Sequence, residues 1–423
     1  MTRILTISLL SVLTAAVAHA DVVNVKSRGG KESLEGIKSE IDGIEVTWGN
    51  IDSFLDQSTG IISKFDYDGI EIKKNENAPK GKFIPWSQIA GYKFSTEPEE
   101  LLDAYDLQAT GNFAAAIREF IRIYQDKEVR EVFRNEAYFQ ACLSYALSGK
   151  SKSAAANLAK WPESKSYYTP RAYQIVGNIK TSLKEFGEAR EFYRKIAKLP
   201  DIPQDWEYRA KLGEVRVDIE EREFDRAIAA AKFVAGASAS SKELADVAAL
   251  AYILTAKAIF AGGDDAKLGE AQQLLNQAAK LEGVTNAVNA ELYAAMGDVI
   301  YKQGSPDKAR FPYMRVVTMY PDEPEYVAHS LQNAGQCFLD LHGHARNKGD
   351  MNASDQLLVK GMKLLYECAG RFGKTGPGSR ARTTYRAKKA EMEEAEGRLK
   401  ASNGGGSDSA GGDDAAGEGE GED

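Results

Sequence analysis

Residues 290–321 read AELYAAMGDVIYKQGSPDKARFPYMRVVTMYP, and this stretch carries the pattern on which the fold prediction depends. Apolar residues recur at three- and four-residue spacing on both sides of the QGSPD segment, which predicts two helices joined by a tight turn. Gly297 and Ala309 are small enough to let these two helices approach each other closely. Tyr293 and Tyr313 are large enough to fill the groove against a neighbouring hairpin. The stretch therefore predicts a helical hairpin that packs against others like it.

The same pattern of small and large residues recurs along the chain. Its small residue falls at Ala116, Ala154, Ala189, Ala227, Ala271 and Ala309, which are 38, 35, 38, 44 and 38 residues apart. A repeat of this period predicts a solenoid, in which each hairpin buries its apolar face against the next. We count six hairpins and a seventh, irregular one after them.

These repeats resemble tetratricopeptide (TPR) repeats over residues 97–372. Residues 290–321 match the family's spacings best, and Cys142 and the expanded loop at residues 262–265 depart from them. The resemblance implies a mainly α fold, a TPR α-solenoid whose helix hairpins form a right-handed superhelix. It also implies a non-enzymatic module that binds a protein or peptide on its concave surface.

The two ends of the repeat region differ from its middle. In the seventh unit we expect a first helix from Ala328, a longer polar connection over residues 342–355 and a second helix over residues 357–372. Residues 373–401 predict a linker and a polar C-terminal capping helix. Residues 402–423 contain almost only Gly, Asp, Glu, Ser and Ala, which predicts a disordered acidic tail.

Residues 21–96 have a different pattern from the repeats. Short alternating stretches such as Ile44-Glu45-Val46-Thr47-Trp48 lie between Gly-containing turns, which predicts a small all-β domain. The order of these stretches resembles small Sm-like or SH3-like barrels. We interpret Trp48 and Trp86 as packing residues of this domain, with an aromatic ligand cage as the alternative.

The first twenty residues predict a secretory signal peptide. Arg3 precedes an uncharged, mostly apolar segment, and Ala18-His19-Ala20 provides the small residues of a cleavage site. An N-terminal membrane anchor is the alternative. The longest later apolar run, residues 247–256, ends at Lys257, so we expect no further membrane span. The sequence thus predicts an exported, soluble protein of the periplasm or cell envelope.

Charge and composition exclude several classes of protein. The 423 residues carry 54 basic and 62 acidic side chains, a net charge of −8, and 43% of them are hydrophobic. Seven of the acids and none of the bases lie in residues 402–423, which leaves a net charge of −1 on residues 1–401. A nearly neutral folded part argues against a nucleic-acid partner.

Motifs of catalysis and metal binding are weak. The pair His342 and His344 near Cys337 could contribute to a metal site, but we interpret both histidines as loop residues in solvent. Cys337 and Cys368 could form a disulfide, and Cys142 is expected to be a buried thiol. We found no nucleophile elbow, phosphate-binding loop or zinc-protease motif, so we expect no enzyme activity and no cofactor.

The TPR resemblance assigns partner-binding candidates to the first helix of a hairpin. They are Arg171, Gln174, Asn178, Glu291, Asp298, Tyr301 and Lys302. The sequence therefore predicts a scaffold that binds another exported or membrane protein. The alternative is that the β domain recognises a glycan, a peptidoglycan fragment or a peptide, with the solenoid as a spacer.

Overall fold

The computed structural model describes residues 21–26, 37–41, 44–48, 55–75, 77–94 and 97–404. The residues of the expected signal peptide and most of the acidic tail lie outside this part. The chain divides into two compact units, residues 1–254 and residues 255–423, with the division inside one helix. The two units are described separately below.

The strands occupy the N-terminal part of the first unit. They are β1 (Asp21–Lys26), β2 (Ile37–Ile41), β3 (Ile44–Trp48), β4 (Leu55–Phe65), β5 (Gly69–Lys73), β6 (Lys82–Pro85) and β7 (Ile89–Lys93). All pairings are antiparallel, in the order β6-β5-β4-β1-β7, with β2 and β3 paired as a separate hairpin. The alternating isoleucines of β4 to β6, among them Ile62, Ile70 and Ile84, form the apolar core of the five-stranded sheet. Antiparallel strands therefore lie where the sequence predicts them, and closure into a barrel stays an expectation.

Fifteen helices follow in the described residues. They are α1 (Glu99–Ala109), α2 (Phe113–Gln125), α3 (Glu131–Leu147), α4 (Ser151–Leu158), α5 (Tyr168–Ser182), α6 (Phe186–Ala197), α7 (Gln204–Glu220), α8 (Phe224–Ser238), α9 (Ala245–Gly262), α10 (Leu268–Ala278), α11 (Asn286–Lys302), α12 (Pro306–Met319), α13 (Pro324–Asn347), α14 (Met351–Arg371) and α15 (Gly376–Gly404). From α1 to α14 they follow one another as seven pairs of helices joined by tight turns. Close packing within the pair is seen for α1–α2, α3–α4, α5–α6, α7–α8, α11–α12 and α13–α14, and α15 packs on α14. The prediction of a mainly α fold of TPR-like hairpins is confirmed.

The turns inside the hairpins share one backbone geometry. Each of the seven holds a residue with φ between 62° and 82°, such as Gly304, Gly349 and Lys184. In six of the seven, the next residue donates its N–H to the carbonyl five residues earlier, as Ser305 does to Ile300. This hydrogen bond closes the end of the first helix and reverses the chain. The repeated turn identifies the hairpins independently of their side chains.

The expectation of a long polar connection over residues 342–355 is wrong. Helix α13 continues to Asn347, and α14 begins at Met351. Between them Gly349 adopts φ 78°, and Asp350 donates to the Ala345 carbonyl at 3.1 Å. The seventh hairpin therefore has the same turn as the others, and the polar residues before it lie on a helix.

The contacts of two buried tyrosines explain three of the small residues. The Tyr313 ring packs so closely against Gly297 that a Cβ on this glycine would lie 2.4 Å from the ring. A Cβ on Gly177 or Gly213 would lie 2.6 Å or 2.2 Å from the Tyr193 ring. Both tyrosines are fully buried. Glycine at these positions therefore lets two helices and an aromatic ring share one layer.

Helix α9 corrects the expectation that no later segment is apolar enough to span a membrane. The segment Lys242–Gly262 has a mean hydropathy of 1.7 over its most apolar window, which satisfies the length and composition of a span. However, 72% of that window is buried inside the protein. Burial on all sides accounts for this hydropathy in a core helix.

Candidate functional site

The first helices of successive hairpins adjoin one another. In the first unit α1 contacts α3, α3 contacts α5, and α5 contacts α7. In the second unit α11 contacts α13. We call the surface of these helices the first-helix face, considered within each unit. All seven partner-binding candidates lie on it, on α5 and α11.

Polar side chains connect the first helices in the first unit. The Tyr105 and Tyr168 hydroxyls both donate to Glu136, so that α3 is tied to α1 and to α5. Further along the unit, Arg209 of α7 donates to Asp246 of α9 at 2.8 Å. Because these side chains are partly buried and hydrogen-bonded, their positions are set by the protein itself.

Similar connections occur in the second unit. Glu291 accepts hydrogen bonds from Lys257 of α9 and Tyr326 of α13, each at 2.8 Å. The Tyr301 hydroxyl donates to Asp340 of α13 at 2.6 Å. One polar side chain of α11 thus reaches both neighbouring first helices, and a second reaches α13.

The three candidates of α5 differ in exposure. Arg171 is half-buried: its guanidinium lies 3.4 Å from the Tyr167 ring centroid and donates to the Tyr167 carbonyl at 2.7 Å. Burial lowers the pKa of Arg171. Gln174 is also half-buried, whereas Asn178 is exposed and accepts a hydrogen bond from Tyr193 at 2.8 Å. Asn178 is therefore the candidate of α5 that faces solvent.

The four candidates of α11 also differ in exposure. Glu291 is only 3% exposed, and Asp298 lies between three donors, Tyr313 at 2.6 Å, His329 at 2.8 Å and Asn333 at 3.3 Å. Tyr301 is half-buried, and burial raises its pKa well above the usual value. Lys302 is exposed, with its amine 3.8 Å from Asp265.

Arg171 and Tyr301 are thus only partly accessible to a partner. Their packing and hydrogen bonds tie them to the fold, and Glu291 is enclosed by its neighbours. Sequence reasoning also missed Glu136 and His329, which help to build the face. A signal for both exists in the first helix of the hairpin. Glu136 and His329 lie six residues before Cys142 and Gly335, just as Arg171 and Glu291 lie six residues before Gly177 and Gly297.

The histidine pair lies on a helix, which corrects its interpretation as loop residues in solvent. His342 is buried, with Nδ1 2.8 Å from the Ser354 hydroxyl and Nε2 3.3 Å from Glu391. His344 is exposed. Residues two apart on a helix point in different directions, so these two rings do not form a chelating pair.

All three cysteines are free and buried. Burial raises the pKa of Cys142, Cys337 and Cys368 to about 12 in each case. Cys142 is the buried thiol that the sequence predicts, and the disulfide considered for the other two is not formed. Thiols with such pKa values are protonated at neutral pH and are poor nucleophiles.

The turn between β4 and β5 joins the strands to the helices. Tyr67 is 1% exposed, and it donates its N–H to Lys165 at 2.9 Å and its hydroxyl to Pro200. The Trp86 indole donates to the Asp66 carbonyl at 2.8 Å, and its ring lies 5.1 Å from that of Tyr167. Trp86 is thus engaged in packing, while the Trp48 side chain lies outside the described residues.

Comparisons with known proteins return TPR structures. A tetratricopeptide repeat protein from Parabacteroides merdae is 14% identical, covering 55% of this chain and 83% of its own, with a TM-score of 0.39. A Rap protein complexed with competence and sporulation factor is 15% identical over 72% and 98%, with a TM-score of 0.34. The P58(IPK) TPR domain is 15% identical over the same shares, with a TM-score of 0.23.

No family model and no curated protein sequence matches the chain. Since the TM-scores are below 0.5, the assignment of the fold rests on the seven hairpins and their common turn, not on these superpositions.

Proposed function

We propose that this protein is a non-enzymatic scaffold of the bacterial cell envelope, which binds a protein or peptide on its first-helix face. The observation that carries the proposal is the network of hydrogen bonds between neighbouring first helices. Because the face is held in place before a partner arrives, little conformational freedom is lost on binding. Exposed groups beside the network, such as Asn178 and Lys302, remain available to a ligand.

The chemistry of the face supports a binding role over a catalytic one. Its carboxylates Glu136, Glu291 and Asp298 are each engaged by two or more donors from the protein. The thiols are buried and protonated. Groups held this way orient one another and do not present a poised acid, base or nucleophile.

Export rests on the sequence of residues 1–20 alone. We expect cleavage after Ala20 and a mature chain that begins at Asp21. Mass spectrometry of the protein recovered from a periplasmic fraction tests this directly. A chain that retains residues 1–20 in the membrane fraction would instead support the N-terminal anchor.

Recognition by the β-strand region is the competing function. The hydrogen bond and ring contacts of Trp86 support a packing role for this residue. Phe83 of β6, which is 48% exposed, offers a position from which to test that region.

Site-specific photocrosslinking separates the two functions. A photoreactive amino acid is placed at Asn178 or Lys302, with Glu191 and Lys308 on second helices as matched exposed controls and Phe83 as the β-strand position. We expect one discrete adduct from envelope extracts at Asn178 or Lys302 and none at the controls. An adduct confined to Phe83 would replace the proposal by recognition through the strands, and equal adducts everywhere would refute it.

A further inference from the structure

The start of the capping helix carries an unusual run of positive charge. Residues 374–389 contain six basic side chains and no acidic one: Lys374, Arg380, Arg382, Arg386, Lys388 and Lys389. Five of them lie in the N-terminal half of α15.

Three of these residues form one exposed stripe. Arg382, Arg386 and Lys389 follow each other at four- and three-residue spacing and are all exposed. The Arg382 guanidinium lies against Gly373, which brings Lys374 to the end of the stripe. We call these four residues the basic face.

Few ion pairs with acidic side chains of the described residues neutralise the charge of the basic face. Arg382 donates to the Ala369 carbonyl at 3.4 Å, and neither it nor Arg386 pairs with a carboxylate in the described part of the chain. Lys389 lies 3.5 Å from Glu393, but both are more than half exposed, and such pairs are weak. The basic face is therefore open to an external anion.

Two tyrosines adjoin the basic face. Tyr366 of α14 is 64% exposed, and its ring centroid lies 5.2 Å from that of Tyr385, which lies between Arg382 and Arg386 in the sequence of α15. Phenol hydroxyls donate hydrogen bonds to carboxylates. The surface thus combines positive charge with neutral donors suited to an acidic peptide.

The chain supplies such a peptide beyond the end of α15. Residues 405–423 contain seven acids and no base, and four of the acids are Glu418, Glu420, Glu422 and Asp423. From Gly404 back to Arg386 is about 27 Å along the helix axis at 1.5 Å per residue. Asp408 can extend only about 13 Å from Gly404, whereas Glu418 can extend about 46 Å. The distal acids therefore have the most chain to spare for reaching the basic face.

We propose that the distal acidic segment, residues 418–423, docks on the basic face of the same molecule. The four acids of residues 391–396 lie between Gly404 and the basic face and repel the nearer part of the tail, so the distal acids gain most from reaching past them. Attachment to α15 gives the segment a high effective concentration, which favours it over a free acidic peptide. An acidic partner has to displace the tail before it occupies this surface.

Zero-length carbodiimide crosslinking of the purified full chain tests this proposal, because it joins carboxylates only to amines in direct contact. We expect peptides that join residues 418–423 to Lys374 or Lys389 in at least fivefold excess over those that join them to Lys127, Lys160 or Lys198, which are exposed lysines of the first unit. Raising NaCl from 0.1 M to 1 M shortens the Debye length from about 10 Å to about 3 Å and should remove this excess.

Two variants serve as test and control. Arg386→Glu reverses one charge of the basic face and should lower the crosslink yield at least fivefold. Arg118→Glu makes the same change on an exposed arginine of α2 and should leave the yield unchanged. Circular dichroism checks that both variants remain folded.

Three results would overturn the proposal. Crosslinks spread evenly over all exposed lysines would show that the tail has no preferred surface. Crosslinks that survive 1 M NaCl and Arg386→Glu would show that charge does not direct them. Crosslinks between ¹⁴N- and ¹⁵N-labelled copies in a mixed sample would assign the basic face to the tail of a second molecule.

Discussion

At the scale of single residues, Glu291 and Lys302 show why position on one helix does not determine a role. Both lie on the first-helix face of α11, but Glu291 is enclosed between α9 and α13 while Lys302 projects into solvent. A buried carboxylate that accepts two hydrogen bonds stabilises the fold, because its removal leaves two donors without this acceptor. An exposed amine near one exposed acid contributes little to stability.

We therefore expect opposite results from two alanine variants of α11. Glu291→Ala should lower the free energy of unfolding by about 1–3 kcal/mol, the cost of leaving buried polar groups unsatisfied. Lys302→Ala should change it by less than about 0.5 kcal/mol. Urea unfolding followed by circular dichroism measures both. Equal stability of the two variants would contradict the structural role of Glu291.

At the scale of elements, two groups of polar contacts fasten the capping helix α15. Arg398 donates to both oxygens of Asp355 on α14 at 2.7 Å. Glu391 lies 3.3 Å from His342 of α13 and also contacts Lys388 and Arg346. Hydrogen bonding from Arg398 lowers the pKa of Asp355. Hydrogen bonding from Lys388, helped by the nearby His342, lowers the pKa of Glu391 against the opposing effect of burial. The helix is thus held by carboxylates that favour their charged form.

The pKa of Asp355 predicts the pH dependence of this contact. Because the folded pKa lies below the unfolded value of about 3.9, the stabilisation is fully present above pH 4 and is lost as the pH falls through the folded pKa. Asp355→Asn should therefore lower the melting temperature by a similar amount at pH 7 and pH 5. The difference from the original chain should shrink near pH 3, as measured by thermal melts.

A conservative change provides the control for that experiment. Glu393→Gln removes an exposed carboxylate of α15 whose ion pair, among the described residues, is with the exposed Lys389. It should leave the melting temperature within about a degree at every pH. A constant effect of Asp355→Asn from pH 7 to pH 3 would show that the charge of Asp355 is not what fastens α15.

At the scale of the whole molecule, the first unit combines strands and helices in one core. Tyr67, from the turn between β4 and β5, packs in the same cluster as Trp161 and Tyr168 of the helical region. Backbone hydrogen bonds from Tyr67 to Lys165 and from Tyr167 to Phe65 further connect this turn to the helical region. Separate folding of the helical region, with its boundary near residue 96, remains a prediction, but the helices lose part of their core without the strands.

A chain that begins at Ser95 tests this dependence. It should remain strongly helical, because solenoid stability is a sum over neighbouring hairpins. Loss of the Tyr67 contacts should cost on the order of 3 kcal/mol, typical of removing a buried aromatic side chain. Hydrogen exchange should show this loss in α3 to α5. Tyr67→Ala in the full chain should reproduce it, and an aggregated product would contradict separate folding altogether.

The sequence alone was sufficient to predict the elements whose contacts lie between residues near each other in the chain. Apolar periodicity predicted the hairpins, and the spacing of small residues predicted close approach of the two helices at Gly297. The structure adds that the Tyr313 ring packs on Gly297 inside the same hairpin, although the sequence assigned this ring to the groove against a neighbouring hairpin. The spacing of the repeats then predicted the order of the hairpins. The turn at Gly349 was missed because polar residues on a helix end resemble a loop in sequence.

Only the tertiary structure decided which polar residues are buried. Glu291 and Lys302 are equally polar in sequence, and the difference between them is made by Lys257 and Tyr326, which lie on other helices. The insertion of Tyr67 among the helices likewise depends on residues about a hundred positions away in the chain. Hydrophobic periodicity reports the environment of a residue within its own element, whereas burial of a polar group depends on donors that folding brings from distant parts of the chain.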